Sequence, residues 1–104
     1  MKLEGLLSIG SIVRIEKHPE QQLQIVGQGQ ANVQTQQVYD YAAVLFPQGY
    51  IDGDHLILFN NEDITEVDAY GYMDDESIEY TTHIENIVEM LRDGRLTLAD
   101  LAQQ

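Results

Sequence analysis

Asp40 lies between Tyr39 and Tyr41 in the apolar run Val38–Phe46. It is the one acid of the chain whose neighbours suit a carboxyl raised toward neutral pH for general acid–base work. The same spacing also suits a strand carboxylate that faces solvent or accepts a tyrosine hydroxyl. His18, His55 and His83 stand on different segments without metal-ligand spacing, and His83 has no second histidine four residues away. Asp52-Gly53-Asp54 starts like a calcium loop, but Leu56, Ile57 and Asp63 occupy the fifth, sixth and twelfth positions. Ser8, Ser11 and Ser77 lack the glycine-flanked elbow of a serine nucleophile. Gly27-Gln28-Gly29 follows a strand as a dinucleotide fingerprint would, but Asn32 replaces the third glycine and a hairpin turn is expected. With no cysteine, thiol chemistry, disulfides and thiolate-held metals are excluded. These residues predict no catalytic site, no cofactor and no metal.

The elements that must position these residues are expected within one domain, 1–104, with a sheet region over 6–73 and a helical region over 74–104. Leu6–Glu16 alternates and reads as a strand, with Ile9, Ser11, Val13 and Ile15 on one face and Ile12 apolar on the other. The run 18–21 around Pro19 breaks it, and Gln22–Gln28 pairs back as a hairpin. The glutamine-rich 27–37 reads as an exposed loop. Val38–Phe46, 55–59 and 66–73 complete about five strands, and Asn60 or Asn61 caps a single turn before the last.

After Asp74 the period changes. Tyr80, Ile84, Ile87, Val88 and Leu91 form one helical stripe, Gly94 stops it, and Thr97 to Asp100 caps a short terminal helix. The predicted class is α+β. A strongly bent, half-barrel-like antiparallel sheet is followed by an amphipathic helix packed across its open face.

Charge narrows the function further. Among 104 residues the net charge is −13, and it is lopsided. Residues 1–50 carry four acids and three bases, whereas 51–104 carry fourteen acids and two. Direct binding to nucleic-acid phosphates or to an anionic membrane is therefore excluded. No apolar run approaches the ~20 residues of a membrane span. The start MKLEGLLSIG, interrupted by Glu4, lacks a signal-peptide core, so a cytoplasmic protein is expected. Six tyrosines against two phenylalanines favour rings with a polar tip, the kind enriched at interfaces. Tyr39 and Tyr41, and Tyr70 and Tyr72, share faces at period two. These four, with Glu79, Glu85 and Glu89 on the helix flank, are the predicted partner-binding residues.

LLSIGSIVRI (6–15), QIVGQGQ (24–30), YDYAAVLFPQGYI (39–51) and FNNEDITEVDAYGY (59–72), followed by an acidic helix, occur in that order. Over about residues 6–80 the chain resembles a small Firmicutes family of unknown function, domain of unknown function 4176. Departures are Leu7-Ser8 for leucine–proline, Gln28 where arginine is common, and Phe46-Pro47-Gln48-Gly49 for tyrosine–proline–glutamate–glycine. Genes of the family commonly sit with type VII secretion systems and LXG toxins. The resemblance implies a non-enzymatic, chaperone-like accessory whose partner is an LXG-type toxin or another export component. It brings no catalytic residues. Tyr50-x-x-x-Asp54, Tyr70-x-x-x-Asp74 and Tyr72-x-x-x-Glu76 match the type VII export signal in form, but without tryptophan the chain reads as a helper rather than cargo. An acidic immunity protein or nucleic-acid mimic is the alternative, and a small hydrolase or ligand-binding barrel, with Asp40 as its candidate acid, is the third.

Overall fold

A computed structural model describes residues 5–32 and 34–102. The chain ends at 1 and 104 and Val33 in the expected loop lie outside them. β1 (Ile12–Ile15), β2 (His18–Asn32), β3 (Gln37–Leu45), β4 (Ile57–Phe59) and β5 (Ile64–Ala69) form one open antiparallel sheet. Their order is β4-β3-β2-β1-β5. α1 (Asp75–Asp93) and the short α2 (Leu98–Ala102) follow, so the class is α+β as expected. Bulges interrupt the β1–β2, β1–β5 and β2–β3 ladders, and extra residues of this kind bend a strand and sharpen its twist.

The core follows from the pleat. Val13 and Ile15 of β1, Leu23 and Ile25 of β2, Tyr41 and Ala43 of β3, Phe59 of β4 and Ile64 of β5 form one buried cluster, joined by Leu7 from the N-terminal segment. Tyr41 and Phe59 stack at a ring separation of 5.4 Å. Inside this cluster no residue comes from α1, which lies chiefly against β2 and β3 and buries only Val88 fully. Val88 and Ile84 pack over Gly29.

Several local expectations change. β2 starts at His18 and runs through Pro19, which stands at the exposed start of the strand, where a missing N–H is tolerated. The expected loop at 27–37 is mostly sheet: Gln28, Gln30, Ala31 and Asn32 pair with Tyr41, Tyr39, Val38 and Gln37. The ladder to β3 satisfies the backbone of this stretch, which outweighs its polar composition. The reversal shrinks to the residues after Asn32, whose Oδ1 accepts the amides of Gln34 and Thr35. Gly27-Gln28-Gly29 accordingly lies within a strand and forms no turn. β1 is shorter than predicted, because the backbone amide of Gly10 donates to Ile25 O and residues 8–11 form a turn. Ile9 is consequently exposed and Ile12 buried, the reverse of the alternation reading. Tyr80, assigned to the apolar stripe, is also exposed.

The helix boundaries are local chemistry. Asp74 and Ser77 cap each other reciprocally at 2.8 Å, and Gly94 ends α1 at φ 78°. Thr97 and Asp100 repeat the reciprocal cap before α2.

Candidate functional site

Alternation along β3 sends Asp40 and Tyr41 to opposite faces, and both are buried. Asp40 spends both carboxylate oxygens internally. Oδ1 pairs with Arg92 Nη1 at 3.0 Å and Oδ2 accepts the Asn61 amide at 2.8 Å. Asn60 Oδ1 in turn accepts the Asp40 amide and Arg92 Nη2. The acid that the sequence singled out is thus the centre of a structural ion pair joining β3, the turn after β4 and α1.

Tyr41 anchors the N-terminal segment. Its hydroxyl oxygen accepts the Leu7 amide at 2.8 Å and its hydroxyl donates to Asn61 Oδ1. Burial pushes the phenol up to about 12, against the opposing hydrogen bond from Leu7. Gln28, its cross-strand partner, donates to Leu7 O at 2.8 Å and to Thr81 Oγ1 at 3.0 Å. Glu85 Oε2 accepts the Leu6 amide at 2.7 Å. Tyr41 and Glu85 are therefore internal ties, because core packing and segment anchoring consume the groups that a partner would need. Sequence spacing cannot distinguish a tyrosine facing the core from one facing water.

The other predicted residues divide differently. Tyr39 is half-buried and donates to Gln37 Oε1 at 3.0 Å. Tyr70 and Tyr72 follow the end of β5 and are exposed, Tyr72 at 82%. Glu79 and Glu89 are exposed on α1. Tyr72 is brought together with residues that the sequence reading left out of the site. With Ile9 and Tyr80 it borders a small hollow of about 60 Å³ whose floor includes Ser8, Ser77 and Thr81. Those three floor residues continue into a second hollow of about 260 Å³, bordered by Met73 and Ile78. Ile9, Met73, Ile78 and Tyr80 are each about half exposed. The available signal was Ile78 lying among Asp75, Glu76 and Glu79, outside the helical stripe. The exposed groups thus fall on two flanks of the start of α1, Ile9, Tyr72 and Tyr80 on one and Met73 and Ile78 on the other.

Elsewhere, Asp52 Oδ1 accepts the His55 amide and lies 2.6 Å from His55 Nδ1, which makes the Asp52-Gly53-Asp54 segment a capped turn. Among the described residues no three histidine or acidic side chains are grouped to hold a metal, and no helix is long and apolar enough to cross a membrane.

Compared with protein families, residues 6–80 match the family described as a domain of unknown function (DUF4176). The chain belongs to that family. No curated protein and no solved structure matches the chain. The matched span holds the strand side of the internal network (Leu7, Gln28, Asp40, Tyr41, Asn61) and the exposed Tyr72, whereas Thr81, Glu85 and Arg92 lie beyond it. Within that span the segment FNNEDITEVDAYGY supplies both a core tie at Asn61 and the outward ring at Tyr72.

Proposed function

We propose that this DUF4176 member is a non-enzymatic, chaperone-like binding protein that works in the cytoplasm beside a type VII secretion system of a Firmicute. In this reading it holds or targets an LXG-type toxin, or another export component, before export. The observation that carries the reading is that Ile9, Tyr72, Met73, Ile78 and Tyr80 all stand exposed around the start of α1. Exposed large apolar groups gathered at one junction, with tyrosines among them, have the composition of a protein-binding surface. Support also comes from Asp40, the acid best suited to catalysis by its neighbours, being committed to Arg92. Co-expression with the N-terminal export domain of the neighbouring toxin, followed by size-exclusion chromatography, tests it. Co-elution at micromolar concentration is the expected result, and separate elution overturns it.

The second reading is an acidic immunity protein or nucleic-acid mimic. It is favoured by the exposed acids of α1 and by the net negative half of the chain from residue 51 onward. Binding to the toxin's C-terminal toxic domain, with rescue of growth when that domain is expressed, would select it over the first.

A further inference from the structure

β5 ends the sheet and pairs with β1 alone. The Ile64 amide closes the preceding turn on Asn61 O. From Thr65 to Ala69, among the described residues, no strand or side chain pairs with the far edge. A strand paired on one side points alternate N–H and C=O groups away from its partner, so about 17 Å of backbone is left unmatched. β4, at the opposite end of the sheet, is three residues long, and shortness is one way of closing such a template.

Pairing with β1 fixes the two faces of β5. Val13 belongs to the core and its partner Val67 packs against it, whereas Arg14 and its partner Glu66 lie on the outer face. Arg14 Nε lies 2.9 Å from Asp68 Oδ2 and 3.6 Å from Glu66 Oε2, and Gln22 Nε2 donates to Asp68 at 2.9 Å. Two carboxylates thus share one guanidinium, which leaves the outer face of the edge net negative. Charges and bulges on an edge strand guard against pairing with its own kind. A two-fold pairing of β5 with a second copy would bring Glu66 close to Glu66 or Asp68 of the other chain, an opposition of like charges. The same guard favours an incoming strand that carries the opposite sign on its outer face.

Only an extended segment offers N–H and C=O groups in the alternation that this edge requires, since a helix spends its own internally. We propose that the free edge of β5 receives an extended segment of a partner protein as a sixth strand. Lysines or arginines of that segment stand beside Glu66 and Asp68, and its apolar side chains continue the face of Val67. The inference goes beyond the accessory reading, because it states how a partner chain is gripped whatever its role.

The test uses the full chain and a short fluorescein-labelled peptide that alternates valine and lysine, read by fluorescence anisotropy. A peptide of the same composition with its valines and lysines in blocks, and one with glutamate for lysine, serve as comparisons. The expected result is binding of the alternating peptide that weakens with salt. The block peptide should bind about tenfold more weakly, the worth of two cross-strand pairs, and the glutamate peptide not at all. Hydrogen exchange at the amides from Thr65 to Ala69 should slow in the complex, a measurement that needs no variant to fold. Glu66→Gln, at an exposed position, should weaken binding about two- to fivefold and flatten its salt dependence. No binding, equal binding of the alternating and block peptides, or binding that leaves exchange over 65–69 unchanged overturns the inference. An affinity unchanged in Glu66→Gln overturns the charge assignment. A homodimer in analytical ultracentrifugation with these amides protected in the free protein also overturns the proposal, because the occupant would then be a second copy.

Discussion

The phenol oxygen of Tyr41 accepts the backbone amide of Leu7 at 2.8 Å across 34 residues of sequence. Gln28, opposite Tyr41 in the sheet, takes the Leu7 carbonyl at the same distance. Both polar groups of one buried peptide position are thereby satisfied by side chains of the two central strands, and the N-terminal segment is clasped over the core.

Tyr41→Phe is expected to cost about 1–3 kcal/mol, since it leaves the Leu7 donor buried and unpaired. Gln28→Leu removes the other half of the clasp at similar cost. Because either change releases the same segment, the double variant should cost less than the sum. Urea denaturation of the four proteins checks this, and strict additivity would show that the two bonds act independently.

Alkaline pH should act through the same phenol. Its value in the folded protein is about 12 against an ordinary value near 10, so the folded state holds the proton more tightly. The stabilisation is complete below pH ~10 and is lost as pH rises toward ~12, up to about 3 kcal/mol. Denaturation midpoints measured from pH 9 to 12 should fall more steeply for the parent than for Tyr41→Phe. Parallel curves would refute the assignment.

Asp40 and Arg92 should behave as a coupled pair. Asp40→Ala strands a guanidinium beside Asn60 and unpairs the Asn61 amide, a loss of about 1–3 kcal/mol. In a double-mutant cycle with Arg92→Ala, a coupling of about 1 kcal/mol is expected, tempered by the half-exposed guanidinium. A vanishing coupling energy would mean that solvent screens the pair.

Gly71→Ala should destabilise by several kcal/mol, of order 2–4. A Cβ there would collide with the Ile9 carbonyl oxygen and stand 2.9 Å from Ser11 N, both backbone atoms with no rotamer to yield. A thermal midpoint unchanged in Gly71→Ala would contradict the close crossing of these two segments. Circular dichroism melting suffices.

Local chemistry was readable without a fold. The change of period after Asp74, the cap at Thr97, the stop at Gly94, the turn at Asn60 and the five-strand-then-helix order follow from side chains and backbone within a few residues of one another. The lopsided charge and the absence of cysteine are likewise properties of the chain alone. What required tertiary structure was every decision between two faces or two partners. The glutamine-rich run became strand because β3 pairs along it, Ile9 turned outward because the chain bends at Gly10, and Tyr41 and Tyr72 parted company. One tyrosine lies beneath the N-terminal segment and the other on an open junction, and no spacing rule separates them, because burial depends on what long-range packing lays over a residue. Asp40 was singled out for its neighbours in sequence, but its role was set by Arg92, which lies on a different element and meets it only when α1 docks.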